Sequence, residues 1–119
     1  MSSGESRLRV TRDGGITRVE FVDRNILDEA NIQQIGEEIG ELIDAEPDPK
    51  LLISFENVVH LSSAALGTLI TINSKIKSHG GQLRLSNIDP QIYEVFVITR
   101  LNKLFQIFDD VPEALKSFS

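Results

Sequence analysis

Between Leu51 and Ile70 the chain reads LLISFENVVHLSSAALGTLI, an apolar strand that runs straight into a serine pair, Ser62-Ser63, opening a helix. A strand feeding a helix commits this part of the chain to an α/β unit. It also marks a chemical position, because the free N–H groups and the macrodipole at a helix N-terminus favour negative charge. Such a place suits a phosphoryl group. Three roles stay open for Ser63 on this ground alone: switch, nucleophile or helix cap.

The flanking patterns extend the unit into a domain. Arg7 to Arg12 and Ile16 to Val22 alternate apolar with polar around Asp13-Gly14-Gly15, a hairpin signal because the turn needs positive φ. A loop, Asp23 to Leu27, precedes Asp28, which can cap a helix. Ile32, Ile35, Ile39, Leu42 and Ile43 then recur at the spacing of one buried face, and Pro47 and Pro49 end the pattern. Leu51 to Phe55 is a short strand, continuing in looser form to Leu61. The helix that starts at the serines carries Leu66, Leu69, Ile70, Asn73 and Ile76 along its inner stripe and stops at His79-Gly80-Gly81.

Gln82 to Ser86 alternates as a strand, with Leu83 and Leu85 on one side. Asp89-Pro90 supplies an acidic cap followed by proline at the first helical position. Ile92, Val95 and Phe96 form the face of that helix. A turn through Arg100-Leu101-Asn102 leads to a short edge strand, Leu104 to Phe108. Asp110-Val111-Pro112 opens a last helix that packs Ala114, Leu115 and Phe118. The order ββαβαβαβα predicts an α/β fold: a small mixed β-sheet of about four to five strands covered by about four helices. At 119 residues the expected organisation is a disordered tail, residues 1–6, and one domain, residues 7–119.

Composition removes several functions. A formal charge of −6 with scattered Lys and Arg argues against nucleic acid, which needs a clustered basic footprint. There is no cysteine, hence no disulfide, thiolate catalysis or cysteine-ligated metal. No apolar run approaches the roughly 18 residues of a membrane span, and MSSGESR lacks a signal-peptide core, so the expected location is cytoplasmic with no membrane partner. Glu37, Glu38, Glu41, Asp44, Glu46 and Asp48 make one denser acidic stretch, readable as a solvated helix face or as a steering surface for a basic partner. A small acidic domain with capped helices is consistent with a monomer.

Catalytic readings fare poorly. Ser63 and His60 have no assured contact across a strand–helix junction, and Leu61-Ser62-Ser63-Ala64-Ala65 is not the Gly-x-Ser-x-Gly elbow of a serine hydrolase. Gly80-Gly81 follows a helix instead of preceding one and has no Lys-Ser/Thr after it, so it reads as a structural stop. His79 reads as a partner of the helix C-terminus. Glu37-Glu38 and Asp109-Asp110 read as solvated pairs. No His, Asp and Glu share metal-ligand spacing, and neither metal nor cofactor is expected. The chain reads as a non-enzyme.

Ser62-Ser63-Ala64-Ala65-Leu66-Gly67, preceded by LLISFENVVHL, resembles the Asp-Ser-Ser-Gly-Leu-Gly signature of STAS-domain proteins of the anti-sigma factor antagonist family. Downstream, IKSHGGQLRLSNIDPQIYEVFVITRLNKLFQIFDDVPEAL is similar to the family in its glycine pair, strand, Pro-started helix and Leu-x-x-x-Phe segment. Ser62 stands where the family usually has aspartate, and Ala65 where it usually has glycine. The resemblance implies a STAS domain and a binding switch without catalysis. Unmodified protein would dock on an anti-sigma factor serine kinase and so regulate transcription. Phosphorylation at Ser63, with Ser62 as second choice, would release it, and a serine/threonine-type phosphatase would reset it. The implied docking residues are Ser62, Ser63, Ala64, Gly67, Thr68 and Thr71. The small-residue stripe Ala64, Gly67, Thr68 and Thr71 can equally serve packing within the fold. The alternative role is a constitutive STAS scaffold without a working phosphoswitch.

Overall fold

Alternation around Asp13-Gly14-Gly15 produces the expected hairpin: β1 (Leu8–Asp13) pairs antiparallel with β2 (Ile16–Phe21), and both turn glycines take positive φ. The computed structural model describes residues 8–118, so the expected tail, residues 1–6, and the first strand residue, Arg7, lie outside the described residues. Beyond β2 the sheet is parallel. β4 (Lys50–Ser54) joins β2, β6 (Gln82–Ser86) joins β4, and β7 (Gln106–Phe108) joins β6, giving the order β1-β2-β4-β6-β7.

Each parallel step crosses through a helix: α1 (Glu29–Asp44), α2 (Ser63–Ser78), then α3 (Pro90–Ile98) with α4 (Leu101–Leu104). Strands added always on the same side, by crossovers of one hand, set successive helices on one face of the sheet. There α1 and α2 pack together. Ile32, Ile35, Ile39 and Ile43 of α1 meet Leu66, Leu69, Ile72 and Ile76 of α2 in one core with Val19, Leu51, Ile53, Leu83 and Leu85 of the sheet. Two glycines on α1 let the helices approach. A Cβ on Gly36 would come within 3.1 Å of Thr68 Cγ2, and one on Gly40 within 3.4 Å of Lys75 Nζ.

α5 (Val111–Lys116) takes the other face. Arg84, in register with Leu52, points there: its Nε donates to Ser117 Oγ at 2.9 Å and its guanidinium lies 4.9 Å from the Phe118 ring centroid. Burial lowers the Arg84 pKa below the ordinary guanidinium value. Hence β6 is buried on both sides instead of on one. Where α5 stops, the open face of β1 and β2 carries ion pairs, Arg9 with Glu20 at 3.8 Å and Arg18 with Asp13 at 3.4 Å.

Caps fall where acidic residues precede helices. Asp28, Asp89 and Asp110 accept from Ala30 N, Gln91 N and Glu113 N at 2.8, 2.9 and 2.9 Å. Four expectations need correction. Ile70 is 38% exposed and Ile72 is buried in its stead. At 3.6 residues per turn, Ile70 lies about 120° from the centre of the stripe through Ala65, Leu69 and Ile76. Val95 is exposed because only Ile92 and Phe96 of α3 reach the core, the Phe96 ring meeting Phe105 at 6.0 Å. The segment after Arg100 is a helical turn, and the edge strand shortens to Gln106–Phe108. A short strand, β3 (Asn25–Ile26), stands in the expected loop Asp23 to Leu27, and the looser continuation to Leu61 is a separate strand, β5 (His60–Leu61), that pairs parallel with β3 in a second sheet.

The C-terminal ends of α1 and α2 are tied by Asp44, whose Oδ2 accepts from Lys75 Nζ at 3.1 Å while Oδ1 lies 3.2 Å from His79 Nε2. The Lys75 hydrogen bond, helped by the Lys75 and His79 charges, holds the Asp44 carboxyl below its ordinary value. A folded pKa depressed below the unfolded one contributes stability above the ordinary carboxylate range, and that contribution disappears as pH falls through the folded value. Asp44→Asn should therefore flatten the acid limb of a stability–pH profile taken by urea denaturation, by a small amount because the site is exposed. An unchanged acid limb would remove the tie from the account.

Candidate functional site

The serine pair sits where β5 turns into α2. Ser62 is the N-cap: its backbone is extended at φ −82° and ψ 165°, and its Oγ accepts from Ala65 N at 3.2 Å. Its carbonyl accepts from Leu66 N, also at 3.2 Å. Those two bonds leave the Ser63 and Ala64 N–H groups without an intrahelical acceptor. Ser63 is the first residue of α2. It is exposed, and its hydroxyl has no hydrogen-bond partner among the described residues. The two serines thus differ in what their hydroxyls bond. Ser62 is the cap and Ser63 is free.

The junction is held by a strap that sequence reasoning missed. Arg24 O accepts from Val59 N at 2.8 Å and from His60 N at 3.2 Å, and Ile26 O accepts from Ser62 N at 3.1 Å. His60 Nδ1 lies 2.7 Å from Asn25 Oδ1, so the imidazole is engaged by Asn25 and not by Ser63. The nucleophile-and-base arrangement does not form. Asn25 had no local signal, since its partner is 35 positions away. The first turn of α2 has no acidic side chain, so no carboxylate on the helix itself opposes added negative charge.

The small-residue stripe splits in two. Thr68 is half-buried and packs toward Gly36, and the Thr71 Oγ1 donates to Gly67 O at 3.2 Å beside it. Both threonines line a groove of about 550 Å³ between α1 and α2. Ala64 and Gly67 instead face out with Ser63. A Cβ on Gly67 would touch nothing within 4 Å, so packing within the fold does not require glycine there. Gly67→Ala should stabilise the chain by about 0.5–1 kcal/mol through helix propensity, read as a higher midpoint in urea. A destabilised Gly67→Ala would return the glycine to the fold's own needs.

The acidic stretch also divides. Asp44 is tied to Lys75 and His79, and Glu46 pairs with Arg12. Glu37 and Glu41 rim the groove on α1. Among the described residues no group of three His, Cys, Asp or Glu side chains could hold a metal ion, and no helix is long and apolar enough to cross a membrane.

Against known proteins, residues 8–114 match the STAS domain family model. A Thermotoga neapolitana protein named as an anti-sigma factor antagonist homologue is 30% identical over 67 residues, 56% of this chain and 59% of the relative. The chain thus spans less than two thirds of the length of the curated relatives it matches. A Planctomyces limnophilus anti-sigma-factor antagonist (STAS) domain protein superposes with a TM-score of 0.84 at 25% identity, covering 92% of this chain and 96% of that one. The Bacillus cell fate determinant SpoIIAA in its phosphorylated form shares the fold, with a TM-score of 0.70 at 18% identity over 92% of this chain and 96% of its own.

Proposed function

The chain belongs to the STAS-domain family, and from that membership we propose that it is an anti-sigma factor antagonist whose docking is switched at Ser63. The observation that carries this reading is the division of labour at α2: Ser62 caps the helix, which leaves the Ser63 hydroxyl exposed and unbonded at its first position. A fold neighbour, SpoIIAA, has been solved both unphosphorylated and phosphorylated, in keeping with a fold that tolerates the modification.

In physical terms the switch works through the partner. The unmodified chain presents Ser63, Ala64 and Gly67 as a low-relief surface, flanked by Ser62, Thr68 and Thr71, to an anti-sigma factor that is also its serine kinase. A phosphoryl group adds about −1.5 to −2 charges. Its own helix accommodates that charge through the N-terminal dipole. A closely packed partner must desolvate and oppose it, and release follows. A phosphatase of the serine/threonine type restores the docking form. Ser62 is the poorer acceptor, because its oxygen already holds the Ala65 N–H. The role is binding without catalysis, exercised in the cytoplasm, by one domain spanning residues 7–119.

Paired baits test it. Ser63→Ala and Ser63→Glu chains are used to capture partners from the native cell's lysate. A kinase-like anti-sigma factor retained by alanine and lost with glutamate supports the switch. The same partners on both baits would make the chain a constitutive scaffold.

A further inference from the structure

The corner between α3 and α4 carries side chains that the fold does not use. Ile98 is 79% exposed and Leu104 is exposed as well. Arg100, between them, sits at φ 64° in the left-handed region, where an arginine costs about 1 kcal/mol or more relative to glycine. Among the described residues neither Arg100 nor Lys103 has an ion-pair partner. The corner is therefore an apolar knob flanked by two uncompensated cations, on a chain whose net charge is −6.

The complementary surface lies on the same molecule. The α1–α2 groove has an apolar floor of Ile32, Gly36 and Ile72, a volume of about 550 Å³, and Glu37 and Glu41 on its rim; at its far end Lys75 lies over Gly40 and is neutralised by Asp44, which leaves the groove net acidic. Glu41 has no ion-pair partner among the described residues, and the nearest contact of Glu37 is a long 3.5 Å bond from Gln33. Two unpaired carboxylates beside an apolar trough complement two unpaired cations beside an apolar knob in charge and in polarity. We propose that the α3–α4 corner of one copy seats in the α1–α2 groove of a second copy, head to tail.

Such a contact is heterologous, so it extends to rings or short filaments instead of closing as a symmetric dimer. A knob-and-groove contact falls in the class of weak, transient interfaces below about 1,200 Å². Association is therefore expected to depend on concentration and to weaken with salt. It does not involve Ser63, and failure of either proposal leaves the other standing. Thr68 and Thr71 line the groove, so a docked second copy would compete with any partner that covers the start of α2.

Sedimentation velocity on the full chain, across a concentration series at low and high salt, is the test. Wild type should show a weight-average mass that rises above 13.3 kDa with concentration and falls back in high salt. Ile98→Asp, Arg100→Glu and Glu41→Lys should each weaken association about tenfold or more, with unchanged melting. Equimolar Arg100→Glu and Glu41→Lys chains should associate again, because each then offers the other a compatible end. Glu41→Lys keeps the test open should Ile98→Asp disturb α3. Three outcomes overturn the proposal: a wild type that stays at 13.3 kDa throughout; association untouched by Glu41→Lys, which would mean a corner-to-corner dimer; or a monomer that floats through Ile98 with phosphatidylglycerol vesicles, which would assign the corner to a lipid surface.

Discussion

Ser63→Glu should lose about a hundredfold or more in partner affinity, a change of about 2.7 kcal/mol, while melting at or slightly above wild type. The sign of the stability effect follows from position. A carboxylate at the first residue of a helix is favoured by the dipole, by about 0.3–1 kcal/mol, and no acidic side chain in that turn opposes it. Ser62→Ala should do the reverse. It removes the hydrogen bond from Ala65 N, costs about 1 kcal/mol and lowers the melting temperature by about 3–5 °C, with partner affinity retained in proportion to the folded fraction. Ser62→Asp restores a capping oxygen and should keep full stability. Calorimetry paired with titration of the captured anti-sigma factor separates the two positions. If Ser63→Ala loses as much stability as Ser62→Ala, the hydroxyls have been given the wrong jobs. If Ser63→Glu binds as wild type does, the switch fails even with the cap correctly placed.

The glycine pair after α2 gives the largest expected loss of stability. A Cβ at Gly81 would sit inside the envelope of the Pro49 carbonyl oxygen and against the Pro49 ring. That oxygen accepts from Gln82 N at 2.8 Å, the bond with which β6 begins to follow β4. Backbone presses on backbone, so no side-chain rotation relieves the clash. Gly81→Ala should destabilise by about 3 kcal/mol or more, read as a lower urea midpoint at unchanged slope. Gly80→Ala is milder. Gly80 has φ +72°, which a non-glycine residue tolerates at about 1–2 kcal/mol, and its added Cβ meets an Asp48 carboxylate that can swing aside. A Gly81→Ala chain within 1 kcal/mol of wild type would contradict this account of the β4–β6 entry.

What the sequence made legible was local. Asp28, Asp89 and Asp110 announced their helices because capping needs only a short side chain and an N–H two or three residues on. The hairpin was equally local, a matter of φ at Gly14 and Gly15. Strand β6 read as one-sided because its second cover, α5, lies more than twenty positions away. The β3–β5 pairing joins two-residue strands that carry no period at all. Ile70 and Val95 were misplaced because hydrophobicity states what a side chain prefers and not which face has a neighbour. The serine pair was ambiguous for another reason. Either residue could have been the cap, and only the turn where extended backbone gives way to helix decides between them.

The five-stranded sheet grows in chain order, since β2, β4, β6 and β7 each lie beside the strand of that sheet made just before. A chain leaving the ribosome can therefore dock each new strand of this sheet onto an edge that already exists. Each parallel pairing spans a single crossover, from Thr17 to Leu51, Lys50 to Gln82 and Arg84 to Gln106, which limits contact order for a mostly parallel sheet. The exception is the face completed by α5. Leu52 and Arg84 await residues 111–118, so synthesis halted short of them would leave a folded front and an unfinished back, with buried-side groups of β4 and β6 open to water and to other nascent chains.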